Sequence, residues 1–414
     1  MPPVQADPSP VTVRVSRWSP RVRWRLLPWW ARVTLIWFGA RALTTVFVLI
    51  FADGQLANAW TGAKPDLFAF SNLWDARWYQ IIATGGYPSE LPLDESGHVA
   101  ENAWAFLPVF PAIVRGVTFL GVGWNVASVL VAVVAGLGAA LVLHRLLSRF
   151  LEPDRAMFAI VLFAVAPVSP IMQFGYAESL GALLLATALL LLVERRYGWL
   201  VPVVAVWAFT RPGALAFALT LGLHFLVRWW RRRDDPFPPR EQFLVVGVGL
   251  FAAVVGFAWP GVVWAVTGEL SGYTETELAW RAGYVGHQEL VPFTAWFQGG
   301  AWWADFVGLP AWVGMLVVGV LIAGFALLLV LPAVRRLGTD IRLWLASYGL
   351  YLLAVFFPQS STFRIVMPMF PLVGALAVPR ARWYRWSIVV VFLALQWVWL
   401  HICWAVSAYD WSPP

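Results

Sequence analysis

The sequence predicts an all-α polytopic membrane protein of about eleven transmembrane helices, with a long first extracytoplasmic loop carrying short interfacial helices. Three observations lead there. Hydrophobic residues make up 60% of the 414 and charged residues 12%, with a mean hydropathy of +0.71, whereas a soluble domain carries roughly 25% charged residues. Apolar runs of about 18 or more residues recur, each long enough to cross a bilayer as a helix. Arginines cluster in the short gaps between alternate runs, as the positive-inside bias requires.

In chain order the predicted spans are 33–51, 124–147, 156–172, 177–194, 198–212, 213–228, 242–266, 309–333, 341–357, 364–379 and 386–408. The spans 198–212 and 213–228 are short and meet at Arg211-Pro212-Gly213. The stretch 105–120 is apolar but interrupted by Pro108 and Pro111 and followed by Arg115, so it reads as an interfacial or re-entrant element. With the basic N-terminus, residues 1–32, in the cytoplasm, every arginine cluster falls on the cytoplasmic side: Arg145/Arg149/Arg155, Arg195-Arg196, Arg228 with Arg231–Arg233, Arg335-Arg336, and Arg380/Arg382/Arg385. The C-terminus is then extracytoplasmic. The chain forms one integral membrane domain, 1–414, and no cleavable signal peptide is evident.

The net charge of +7 is thereby topological and excludes a nucleic-acid partner, since no separate basic domain exists. One lysine against 28 arginines suggests a GC-rich bacterial genome, and the expected location is the bacterial plasma membrane. The single cysteine, Cys403, excludes an intramolecular disulfide. His98 and His287 are isolated in loops and the Asp94-Glu95 pair is solvated, so neither a metal nor a cofactor is expected.

Two long loops, 52–123 and 267–308, lie on the extracytoplasmic side, and function concentrates in such segments. In the first, SNLWDARWYQIIATGGYP (71–88) has Asn72 placed to cap a helix that Gly85-Gly86 ends. Trp74 and Trp78 fall on a stripe suited to the membrane surface, and Asp75 and Tyr79 on a neighbouring face. Asp75 is open to two readings: a capping-box acid at the positive helix end, or a partly desolvated general base among aromatic walls. The second loop, with Tyr273, Trp280, Tyr284, Trp296, Trp302 and Trp303, reads as an interfacial helix, with stacking on sugar as the alternative.

Trp74-Asp75-Ala76-Arg77-Trp78-Tyr79, continuing through Ile82-Ala83 and Gly85-Gly86-Tyr87, resembles the first-loop motif of the PIG-V-like mannosyltransferases. Its second half, Glu101-Asn102-Ala103-Trp104-Ala105-Phe106-Leu107-Pro108-Val109-Phe110-Pro111, departs by Leu107 and by the insertion 88–100. Tyr176-Ala177-Glu178-Ser179, Thr210-Arg211 and Arg364 with Pro368 and Pro371 are similar to later family segments. The resemblance implies a GT-C glycosyltransferase that takes a sugar, mannose in that family, from a polyprenyl-phosphate donor and passes it to a glycan or glycolipid acceptor.

Under that reading Asp75 is the general base of an inverting transfer. Arg211, Arg364 and Arg77 are candidates for the donor phosphate, since a planar guanidinium suits that group. Trp74, Trp78, Tyr79, Glu101 and Glu178 are candidates for substrate contact. Arg77 alternatively faces lipid headgroups, Glu178 alternatively caps a helix or pairs with an arginine, and Arg281 reads as a solvated loop residue. Arg41, mid-span, reads as a structural pairing inside the bundle. The rival class is a lipid or small-molecule transporter, which predicts repeats and polar groups at the bilayer midplane; the polar residues here gather at the outer face instead. A partner subunit is neither implied nor excluded.

Overall fold

The computed structural model describes residues 24–406 apart from 25 and 59. The N-terminal cluster Arg14, Arg17, Arg21, Arg23 and Arg25 and the last two residues of the expected final span lie outside the described residues. Among the described residues all regular elements are helical, and extended backbone pairs only at an isolated Leu93–Val99 bridge. Apolar sequence resolves into helix because no other open structure satisfies its own backbone in lipid.

The main helices are α1 (Trp29–Gly54), α2 (Asp75–Gly85), α3 (Val109–Thr118), α4 (Trp124–Leu147), α5 (Pro153–Ala164), α6 (Glu178–Val193), α7 (Tyr197–Ala208), α8 (Ala214–Trp230), α9 (Pro239–Gly256), α10 (Ala258–Thr267), α11 (Gly272–Val285), α12 (Ala295–Phe306), α13 (Ala311–Val330), α14 (Thr339–Val355) and α15 (Arg382–Trp399). By length and composition α1, α4, α9 with α10, α13, and α15 with the turn following it can each cross a membrane. The exposed side chains agree: Phe243 and Leu250 on α9 are 79% and 65% exposed, a face that water would not tolerate and lipid would.

Several expected spans differ in detail. The span 156–172 stops at Ala164 and resumes as a 3-10 turn, Ser169–Gln173. The span 364–379 is three short pieces, Thr362–Ile365, Met367–Leu372 and Val373–Leu376. Prolines explain both, since Pro167 and Pro170, then Pro368 and Pro371, remove backbone donors that a continuous helix needs. α3 has ten residues, about 15 Å of helix, too short to cross; the sequence reading of 105–120 as a non-spanning element matches it. Arg41 is buried, but it donates to the Ser169 carbonyl at 2.6 Å rather than to a carboxylate.

The basic clusters gather at one end of the bundle. Arg380 pairs with Glu152, Arg149 with Glu194, Arg195 with Asp235 at 2.6 Å, and Arg228 with Glu241 at 3.1 Å. At the other end the two long loops pack on each other. Asn102 donates to Thr276 at 3.0 Å, the Trp259 indole donates to the Trp104 carbonyl at 2.9 Å, and Trp78 and Trp280 meet edge to face. The chain thus visits the two ends in the alternation expected from its arginines.

Candidate active site

At the loop end, α2 begins at Asp75 because Trp74 turns the chain sharply, with φ 56° and ψ −126°. A left-handed φ is disfavoured for any residue with a Cβ, and such strain, about 1–3 kcal/mol, persists only where the surroundings enforce it. Leu73 and Trp74 are buried here, and the Asp75 N–H donates to the Tyr176 hydroxyl at 3.1 Å. Asn72 is not the cap that the sequence suggested. Its amide donates to the carbonyls of Phe68 and Asn125, and its oxygen accepts from Ser128 at 2.8 Å. No side chain caps α2, so the capping-box reading of Asp75 is set aside.

The Asp75 carboxylate instead lies 2.9 Å from Arg364 Nη2. Arg364 Nη1 lies 2.8 Å from Glu178 Oε1, and Arg211 Nη2 approaches the same oxygen at 3.3 Å. Glu178, at the start of α6, pairs with both arginines. Gly181 lets Arg211 lie along α6, since a Cβ there would stand 3.0 Å from Arg211 Cγ. Asp75–Arg364–Glu178–Arg211 is a string of alternating sign and zero formal charge, supplied by the first loop, the helix break after α14, α6 and the α7–α8 turn. Burial pushes the Asp75 carboxyl above its ordinary range, while Arg364 pulls against it.

Three cavities meet at Pro212 and Phe356. The first holds Asp75, Glu101, Arg211 and Arg364 between the rings of Trp60, Trp74, Trp78 and Trp280. The second runs from Glu178, Arg211 and Arg364 into an apolar slot of Leu185, Trp207, Leu352 and Phe370. The third lies against α11 and is lined by Tyr273, Glu277, Trp280, Arg281 and Gln359.

Of the residues singled out in the sequence, Asp75, Trp74, Trp78, Glu101, Glu178, Arg211 and Arg364 all face this connected space. Two do not. Arg77 donates to the Trp60 carbonyl at 2.6 Å and braces the aromatic wall from behind. Tyr79 is buried beneath it, edge-on to Phe106, Phe110 and Tyr176. Arg281 is not solvated but 5% exposed. His98 and His287 are not isolated either: their rings stack at 4.0 Å, and His287 Nε2 lies 3.1 Å from Asp94. The second loop is only partly interfacial, because Trp280 packs on Trp78 and Phe106, and Tyr284 on Trp302 and Phe357.

Sequence reasoning missed Tyr176 as the anchor of Asp75, and it missed Glu277. The Glu277 side chain is open to the third cavity, and the protein packed around that cavity pushes its carboxyl up to about 7, against a hydrogen bond from Tyr273 and the charge of Arg211. The four-residue spacing of Tyr273, Glu277 and Arg281 was the available signal, because it puts all three on one helix face.

The chain is similar to the structure of ArnT from Cupriavidus metallidurans bound to undecaprenyl phosphate, with 15% identity and a TM-score of 0.48 over 86% of this chain and 62% of that one. Against the same protein in the apo state the values are 15%, 0.46, 86% and 61%. Archaeal oligosaccharyltransferase AglB from Archaeoglobus fulgidus, in complex with an inhibitory peptide and a dolichol-phosphate, is similar at 12% identity and a TM-score of 0.37, over 90% of this chain and 56% of that one. The chain spans about three fifths of the length of the ArnT structures. No protein-family model and no curated protein matches it.

Proposed function

We propose that the protein is a GT-C-type glycosyltransferase working on the non-cytoplasmic face of the membrane, with Asp75 as general base. The observation that carries the reading is the placement of Asp75. It is a buried carboxylate held 2.9 Å from Arg364 in an aromatic-walled cavity that joins an apolar slot. In this reading the slot takes the polyprenyl tail and the Arg211 end takes the phosphate. The sugar extends past Trp74 and Trp78, whose rings offer stacking faces. Asp75 removes the proton from an acceptor hydroxyl as that oxygen attacks C1. The C1–O bond to phosphate breaks, the electron pair leaves on the phosphate, and the centre inverts.

The arginines divide this work. Both arms of Arg364 are committed, to Asp75 and Glu178, so its role is to hold the base ionised and aimed. Arg211 approaches Glu178 through one nitrogen and is the more exposed of the two, 20% against 7%, so it is the cation placed to meet the donor phosphate. Mannose as the sugar rests on the PIG-V-like motif around Asp75 alone, and a glycan or glycolipid acceptor on the same resemblance.

Purified protein supplied with radiolabelled polyprenyl-phosphate mannose, and with membrane extract as acceptor, tests the reading. Asp75→Asn keeps a hydrogen-bond acceptor but removes the base, and transfer is expected to fall at least about a hundredfold; because the change also takes one of two carboxylates from Arg364, the melting temperature is followed on the same variant. Turnover near the wild-type rate in that variant, or a reporter at 88–100 facing the cytoplasm, would sink it.

A further inference from the structure

The third cavity contains a charge without a counter-charge. Arg281, on α11, is 5% exposed, and among the described residues no acidic side chain lies within ion-pair distance of it. Its one hydrogen bond runs from Nη2 to the Glu289 carbonyl at 3.3 Å, and its Nε is buried with no partner. Glu277 is four residues earlier, the usual place for a helical salt bridge to an arginine, but it engages Tyr273 instead. Buried arginines elsewhere in the chain are compensated: Arg228 and Arg364 each meet two carboxylates, and Arg41 meets two carbonyls and a hydroxyl. A guanidinium withdrawn from water with unused donors is costly unless an anion reaches it.

This cavity shares Pro212, Trp280, Phe356 and Gln359 with the chamber that holds Asp75, so a molecule seated at Arg281 extends toward the base. The Glu277 carboxyl and the Tyr273 hydroxyl stand on the same wall. With its carboxyl pushed up to about 7, Glu277 is protonated in part near neutrality and then both donates and accepts hydrogen bonds, as a polyol requires.

We propose that this chamber is the acceptor site, and that the acceptor is a hydroxyl-bearing molecule with an anionic group, phosphate or carboxylate, seated against Arg281. The inference rests on the transferase reading and names the class of molecule that receives the sugar. Arg281 acts in binding and takes no part in proton transfer. The attacking hydroxyl belongs to the part of the acceptor that reaches Asp75, while the anion stays anchored on α11.

The test uses the full chain in phosphatidylcholine nanodiscs, melted with glucose, inorganic phosphate, glucose 6-phosphate or glucuronate. Glucose 6-phosphate and glucuronate are expected to raise the melting temperature at concentrations where glucose does not. Arg281→Gln should raise the half-saturating concentration at least roughly tenfold, the ordinary worth of a charge-assisted hydrogen bond. Arg281→Lys should keep part of the effect. Equal shifts in wild type and Arg281→Gln overturn the proposal. So does an Arg281-dependent shift that comes from phosphatidylglycerol in the disc, with sugar anions adding nothing, because the arginine would then be holding a bilayer headgroup. Sugar transfer measured on the same preparations keeps the two readings apart. Anion shifts lost with transfer intact remove only the role of Arg281; transfer absent with anion shifts intact counts against the transferase.

Discussion

Glu277 shows how a single residue carries a pH dependence that the sequence hides. Its side chain opens into the third cavity and the protein around that cavity raises its carboxyl to about 7, so the folded state holds the proton more tightly than the unfolded chain does. The stability this confers is complete below the ordinary glutamate range and is lost as pH rises through about 7. Glu277→Gln fixes the neutral form. The variant should therefore melt close to wild type at pH 5 and above it at pH 8, measured in the same detergent; a gap that is the same at both pH values would show that the carboxyl is not perturbed. Asp75 was legible because its motif is compact and its neighbours are aromatic. Its partners were not, since Glu178 and Arg364 stand 103 and 289 positions further along the chain. Only folding brings Arg364 to 2.9 Å from Asp75 and 2.8 Å from Glu178.

Element boundaries were legible wherever a run was long and unbroken. α4 runs Trp124–Leu147, the bounds its apolar run predicts. Boundaries failed where proline broke a run, at Ala164 and around Met367–Leu376, because hydropathy registers burial and ignores the missing donor. Those breaks are what carry the site: the bend after α5 presents Tyr176 and Glu178, and the break after α14 presents Arg364. The first bend is held by close contact at Gly175, whose N–H donates to the Ser71 carbonyl at 3.0 Å. A Cβ there would stand 2.4 Å from Asn72 Oδ1 and 2.9 Å from Ser128 Oγ. Gly175→Ala is therefore expected to destabilise the protein by about 1–3 kcal/mol, the usual cost of overpacking, and to slow transfer by shifting Tyr176 away from the Asp75 backbone. A melting temperature equal to wild type would mean that the bend relaxes freely.

At the scale of the whole molecule, composition and arginine spacing were enough to order the chain between two ends, because both follow from the bilayer rather than from packing. They could not indicate that the two long loops close on each other, since contacts such as Asn102 with Thr276 join residues far apart in sequence. The apolar slot beneath Arg211 and Arg364 has a further consequence. Its walls, Leu185, Trp207, Leu352 and Phe370, belong to the helical bundle, so under the proposed function a lipid-borne donor would reach it by diffusing within the plane of the membrane. The concentration that governs saturation is then a mole fraction in two dimensions. Diluting a fixed amount of donor with inert phosphatidylcholine should slow transfer, while enlarging the aqueous volume at constant lipid composition should leave the rate unchanged. A rate that follows bulk volume would place donor entry in water instead.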